Sequence, residues 1–321
     1  MSTPDRPGSL APPPPAISRV VLCGAGAVGG SYAERFHALD PKLLTVIAAG
    51  ERRRRLESEG LSVNDRRLPL RCLSPDEPAP PADLLLVAVK HHHLVAAIED
   101  CRRMVGPGTV IVSLLNGISS EADLGRAFGP EKVLPAFVIG NDVLREGNRI
   151  RYANIGRLVF GAPSNDPTDP RVVAVKALLD RAGIPSLVPA NILHEQWFKF
   201  MLNVGVNQVS AVLRVSFGAF GYPEVRELIR RAAAEVVAVS GPEGVLLSSG
   251  DPERIFPIVA RLDPGGKSSM LQDVEAGRKT EVEMFAGTVA ELGRRHAIPT
   301  PVNDLLGLQI AVLERQARVR P

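Results

Sequence analysis

A chain of 321 residues exceeds what one compact core usually supports, so two domains are expected. With 45% hydrophobic and 23% charged residues the composition is that of a globular protein and not of a disordered or fibrous one. A formal charge of +3, with no Lys/Arg stripe interleaved with aromatics, argues against a nucleic-acid surface, and no stretch has membrane length.

Residues 1–16 are proline-rich, culminating in Pro12-Pro13-Pro14-Pro15, and read as a loose tail with no signal-peptide pattern. From Ile17 to Cys23 the chain is apolar and β-branched, then passes through Gly24-Ala25-Gly26-Ala27-Val28-Gly29 into a helical stretch from Gly29 to Leu39. Leu43 to Ala48, Leu84 to Val89 and Val110 to Leu115 are further apolar runs without strict alternation, as expected of parallel strands buried on both faces. Helical candidates such as Arg52 to Ser58 and Leu94 to Met104 lie between them, so residues 17–188 are expected to form a doubly wound α/β domain.

From Val133 to Phe160 shorter pieces (Ala136 to Gly140, Arg149 to Ala153, Arg157 to Phe160) suggest an antiparallel extension of that sheet. After Pro189 the pattern turns to long helices: Ile192 to Leu213, Pro223 to Val239, Pro252 to Leu262, Ser268 to Arg295 and Pro301 to Arg315. Residues 189–321 are therefore expected to be all-α.

In Gly24-x-Gly26-x-x-Gly29 the first glycine permits a tight turn, the second lets backbone approach a pyrophosphate, and the third lets helix and strand pack closely. The phosphates of a dinucleotide would then meet the helix N-terminus. An NAD site usually carries an acidic residue at the end of the second strand, about 20 residues on. Here that strand ends Ala48-Ala49-Gly50 and continues Glu51-Arg52-Arg53-Arg54-Arg55. The arginines could offer guanidinium donors to a 2′-phosphate, Glu51 could pair with a ribose, and the bland alternative is a solvated helix face.

Lys90 follows one apolar run and Asn116-Gly117 the next, so both fall at strand carboxyl ends, the edge where open sheets bind ligands. His91-His92-His93 is not read as a metal site, because consecutive side chains diverge and no spaced companion completes a ligand set. Cys23, Cys72 and Cys101 are sparse and lack metal-like spacing, which fits a reducing cytoplasm.

Lys199, Asn203 and Asn207 are four residues apart on an otherwise apolar helix and share one face. A lysine beside Trp197, Phe198, Phe200 and Met201 is desolvated, which moves its pKa toward the working pH and makes it the candidate general acid. Ser269, Asp273, Gly277 and Glu281 recur every fourth residue on an expected helix, drifting about 40° per step. Small Gly277 would admit a close neighbour. The plainer roles are a helix cap for Ser269 and Asp273 and an exposed salt bridge for Glu281.

The glycine turn, Val87-Ala88-Val89-Lys90, Leu115-Asn116-Gly117, Trp197-x-Lys199-x-x-x-Asn203, Ser268-Ser269-Met270-Leu271-Gln272-Asp273 and Lys279-Thr280-Glu281 together resemble the ketopantoate reductase (2-dehydropantoate 2-reductase) family. The likeness runs in order from about Ile17 to Leu313. It implies a Rossmann-like domain followed by a helical one, and NADPH-dependent reduction of 2-dehydropantoate to pantoate on the route to pantothenate and coenzyme A. It further implies Lys199 as catalytic acid, Asn203, Asn207 and Ser269 as substrate contacts, and Asn116 and Lys90 on the nicotinamide side. Glu281 would touch the cofactor and help position the lysine.

The chain departs from the family at Ala49, where an arginine often meets the 2′-phosphate, and Arg52 to Arg55 are the candidate substitutes, with NADH the alternative cofactor. It departs again at Val215-Ser216-Phe217, where a polar substrate contact is expected. Reduction of another 2-keto acid or an imine, or dinucleotide sensing without turnover, therefore stay open. The expected partner is a small 2-keto acid, with a homodimer allowed for and neither nucleic acid nor membrane expected.

Overall fold

The computed structural model describes residues 16–319, so the tail expected over 1–16 lies outside the described residues apart from Ala16. The chain opens with β1 (Val20–Cys23), α1 (Ala27–Leu39), β2 (Leu44–Ile47), α2 (Gly50–Glu59), β3 (Leu61–Val63), β4 (Arg66–Leu68) and β5 (Cys72–Leu73). It continues through β6 (Leu84–Val87), α3 (Leu94–Cys101), β7 (Val110–Ser113), α4 (Ser120–Phe128) and β8 (Val133–Leu134). Six strands form a parallel sheet in the order β5-β2-β1-β6-β7-β8.

Every residue of β1, β2, β6 and β7 is buried, which is why these segments are unbroken apolar runs. Alternate residues serve two cores. Val20, Leu22, Leu84, Leu86 and Val112 pack with Tyr32 and Phe36 of α1. Val21, Cys23, Leu85, Val87 and Ile111 face the other way, into a core continuous with Phe200 and Met201 of the helical half. The chain runs outward from β1 to β5 on one side and returns to start β6 on the other. The strand order thus reverses between β1 and β6, where open α/β sheets hold ligands at the strand carboxyl ends.

The expected antiparallel extension requires correction. β9 (Ala136–Ile139) and β12 (Arg157–Phe160) do pair antiparallel, but with β13 (Ser186–Leu187) they make a separate three-stranded sheet. The hairpin of β10 (Leu144–Glu146) and β11 (Arg149–Arg151) joins β3 and β4 in a third sheet. Pro135, between β8 and β9, has no N–H to offer a ladder, so the main sheet ends there. Helix α5 (Pro170–Arg181) precedes β13.

From α6 (Ile192–Leu213) onward the described residues are helical: α7 (Pro223–Ser240), α8 (Ile255–Val259), α9 (Ser269–Glu275), α10 (Thr288–His296) and α11 (Pro301–Val319). Asn191 caps α6 by accepting from His194 N–H at 3.0 Å, and most of the helix is buried, as its nearly all-round apolar surface requires. No described helix is long and apolar enough to cross a membrane.

Two expected helices are broken. The stretch Pro252 to Leu262 is a 3₁₀ turn at Asp251–Arg254 followed by the short α8. The stretch Ser268 to Arg295 stops at Glu275, because Gly277 adopts φ +63°, a left-handed conformation that glycine permits and a helix does not. The chain re-enters helix through a π-turn at Glu283–Gly287 before α10. Ser269, Asp273, Gly277 and Glu281 are therefore not one helical face. Nor does Gly277 admit a close neighbour: a Cβ there would meet only Ala317 Cβ, at 3.6 Å.

Candidate active site

The glycine turn lies at the switch between β1 and β6, and its three glycines have different reasons to be small. A Cβ on Gly24, whose φ is +105°, would stand 2.5 Å from Ala88 O at the end of β6. One on Gly29 would stand 1.9 Å from Gly24 O. Both are demanded by packing. A Cβ on Gly26 would come no nearer than 3.8 Å to Ala88 O, so the protein itself leaves room over this residue. Gly26 is also the N-cap of α1 and supplies no side-chain acceptor, leaving the first N–H groups of α1 without a capping side chain. Open space above uncapped amides fits a dinucleotide pyrophosphate, with Ala25, Ala27 and Val28 contributing backbone to the turn.

β2 pairs in register with β1, Cys23 opposite Ile47, so Ala49 and the start of α2 sit beside the turn. The four arginines there are not equivalent. Arg53 is committed to Glu57 at 2.8 Å and to Glu77, whereas Arg52, Arg54 and Arg55 are exposed and have no carboxylate within ion-pair distance among the described residues.

At the neighbouring strand ends the structure joins residues from both halves of the chain. Asn116 Nδ2 donates to Glu281 Oε2 at 3.0 Å. Lys90 Nζ lies 3.8 Å from Glu281 Oε1 and 3.6 Å from Asp273 Oδ2, and Asp273 also accepts from Arg278 Nε at 2.8 Å. Lys90 is half exposed, so these pairs contribute about 1 kcal/mol or less each and serve orientation more than stability.

Three devices hold Glu281 here. Gly277 turns the chain out of α9. Thr280 donates to Glu314 of α11 through both its N–H, at 2.9 Å, and its hydroxyl, at 2.6 Å. The π-turn then brings Met284 against Gly117, where a Cβ would stand 2.6 Å from Met284 Cγ. Because Gly117 also has φ +86°, Gly117→Ala is expected to lower stability by ~1–3 kcal/mol, read as a fall in Tm. An unchanged Tm would show that this contact is not tight.

Lys199, Asn203 and Asn207 share a face of α6. Asn203 and Asn207 are buried, and Lys199, itself partly exposed, is flanked by buried Trp197, Phe198 and Phe200. Burial alone pulls the Lys199 ammonium down to about 8. Among the described residues none forms an ion pair with Lys199 or a hydrogen bond to any of these three side chains, and no polar contact ties them to the Lys90–Glu281 cluster. Ser268, not Ser269, caps α9, accepting from Leu271 N–H at 3.2 Å. Ser269 is thereby left exposed at the first helical position, and Asp273, the other candidate cap, instead pairs with Arg278 and Lys90.

Sequence reasoning missed Glu121 and Gln196. Glu121 Oε1 accepts from Gln196 Nε2 at 2.6 Å and Oε2 from the Ser120 hydroxyl at 2.9 Å, joining α4 to α6 three residues ahead of Lys199. Burial raises the Glu121 carboxyl to about 7. An acidic residue in a helix's first turn looks like ordinary dipole pairing, so only the fold reveals this contact. Phe217, noted for its departure, packs on Phe220 at 5.6 Å and against Gly266, on the loop that leads to Ser269.

The parallel sheet, the glycine turn at its switch point and the helical second half define a dinucleotide-binding oxidoreductase. Residues 20–165 match the family described as "Ketopantoate reductase PanE/ApbA", and residues 191–314 match "Ketopantoate reductase PanE/ApbA C terminal". The chain belongs to the ketopantoate reductase family. It is 29% identical to the 2-dehydropantoate 2-reductase of Halobacterium salinarum over 92% of this chain and 99% of that relative. The PanE/ApbA family ketopantoate reductase of Ralstonia eutropha JMP134 superposes with a TM-score of 0.79 at 25% identity, covering 94% of this chain and 99% of that one. A D-mandelate dehydrogenase solved with NADH and anilino(oxo)acetate shares the fold, with a TM-score of 0.80 at 20% identity over 94% of this chain and 100% of that one.

Proposed function

We propose that this chain reduces 2-dehydropantoate to pantoate with NADPH, as a step toward pantothenate and coenzyme A, and that Lys199 donates the proton. The observation that carries this reading is a lysine held at about 8 by desolvation, with no carboxylate partner among the described residues, on the same helical face as two buried amides. When bound, the dinucleotide supplies a hydride from nicotinamide C4 to the 2-keto carbon. The Lys199 ammonium gives its proton to the keto oxygen, so hydride and proton together complete a two-electron reduction to the alcohol.

Asn203, Asn207 and Ser269 are the side chains proposed to hold the substrate's carboxylate and hydroxyl. Such orientation can lower a barrier by several kcal/mol. Lys90 and Asn116 line the nicotinamide side, and Glu281 touches the cofactor and orients Asn116 through their 3.0 Å hydrogen bond. Gly24 to Gly29 take the pyrophosphate. Arg52 is proposed for the 2′-phosphate, because it is exposed and has no competing carboxylate among the described residues.

One observation favours a second reading. Phe217, packed toward the loop that carries Ser269, offers an apolar surface where a polar contact was expected, which would suit an aryl-substituted 2-keto acid, related in shape to the anilino(oxo)acetate named with the mandelate dehydrogenase. Steady-state reduction of 2-dehydropantoate and of an aryl 2-keto acid, each with NADPH and with NADH, separates the two. Highest kcat/KM for 2-dehydropantoate with NADPH is expected. Preference for the aryl acid would replace the substrate, and no reduction of either would sink the reading.

A further inference from the structure

We infer that Arg145, on the hairpin β10–β11, completes with Arg52 and Arg55 a guanidinium cluster that grips the 2′-phosphate of the dinucleotide and so sets its preference for NADPH over NADH. The inference rests on the dinucleotide reading above and adds a residue from a different part of the chain. It starts from the hairpin's register. Arg145 lies directly opposite Ile150 in the antiparallel ladder, so their side chains emerge on the same face.

Ile150 is fully buried and anchors that face on α1, where its Cδ1 occupies the space a Cβ on Gly30 would need, 2.2 Å away. The anchor delivers Arg145 to the glycine turn. Its Nη1 donates to Ala25 O and its Nε to Gly147 O at 2.8 Å, fixing the guanidinium plane. The start of α2 adjoins the same turn through the in-register pairing of β1 and β2, and Arg52 and Arg55 on it lie near enough for their charges to act on Arg145.

Three cations thus gather at one edge of the turn, and among the described residues no carboxylate lies within ion-pair distance of any of them. Gathering them has a cost, since burial and then the charges of Arg52 and Arg55 hold the half-buried Arg145 below its ordinary value. A dianionic phosphate offsets that cost, whereas a ribose hydroxyl does not. Ala49, just before α2, has no polar side chain to offer, which leaves this role open to a side chain arriving from the hairpin.

The test measures dissociation constants of NADPH, NADH, 2′-AMP and 5′-AMP for the full chain and for Arg145→Ala and Arg145→Gln, the second retaining an amide donor without the charge. Removing one charge-assisted contact is expected to weaken NADPH and 2′-AMP by roughly 10- to 100-fold, with NADH and 5′-AMP changed less than about twofold. An equal loss for NADPH and NADH would mean that Arg145 serves the pyrophosphate or the turn itself, and would overturn the inference, as would no loss. If the unmodified chain binds NADH as tightly as NADPH, the cluster does not read the 2′-phosphate, while the keto-acid reading survives. Failure to bind either dinucleotide would sink both.

Discussion

Lys199→Ala is expected to lower keto-acid turnover by about 10²–10⁴-fold while leaving the dissociation constant of the dinucleotide within about twofold of its original value. The split follows from position. Lys199 projects from α6 of the helical half, and no hydrogen bond or ion pair among the described residues connects it to the glycine turn or to Lys90. The variant should also fold well, because the substitution removes a desolvated, partly exposed ammonium that has no ion-pair partner among the described residues and leaves the surrounding Trp197, Phe198 and Phe200 in place. Steady-state rates paired with cofactor titration check both halves of the expectation. Near-normal turnover would assign the proton to another group, and lost cofactor affinity would make Lys199 part of the dinucleotide site.

A second large effect should divide the glycine turn. Gly29→Ala forces a Cβ to 1.9 Å from Gly24 O, a backbone atom that cannot yield without moving β1 or α1. A stability loss of ~3 kcal/mol or more is expected, with cofactor binding lost alongside it. Gly26→Ala puts its Cβ no nearer than 3.8 Å to its nearest neighbour among the described residues, Ala88 O, so Tm should stay within a few degrees while dinucleotide affinity falls at least about tenfold, because the new methyl occupies the pyrophosphate's approach. Thermal unfolding and cofactor titration on the two variants check this. A Gly26→Ala protein that binds normally would mean that the open space is not the phosphate's.

These contrasts mark where the sequence is informative. The strands were legible because burial on both faces leaves an apolar run with no alternation, and β1, β2, β6 and β7 fall within the expected segments. Helix α6 was legible because apolar residues fill most of its faces, with Lys199, Asn203 and Asn207 recurring four apart among them. The break after α9 was not, since helical periodicity continues through Gly277 and only the left-handed turn and the Thr280–Glu314 bonds interrupt it.

Ser268 and Ser269 are equally good caps by composition, and which one turns inward is decided by the geometry at the start of α9. Arg145 shares a short hairpin with Arg149 and Arg151, 120 residues from the carbonyl it binds, and no local pattern distinguishes it from a surface arginine. The Glu121–Gln196 contact is hidden for the same reason, its partners being 75 residues apart. Side chains that organise a site from a distance leave no periodic trace, whereas the elements they act on do.

The pH dependence of kcat/KM for the keto acid, measured at saturating dinucleotide, bears most directly on the claim that a desolvated lysine supplies the proton. The ammonium is the active form in the reducing direction, so the rate should be level below about pH 8 and fall about tenfold per unit above it, as Lys199 loses its proton. The falling limb should be absent from the residual activity of Lys199→Ala. A profile that stays flat well above pH 8, or a limb that persists in the alanine variant, would contradict the assignment.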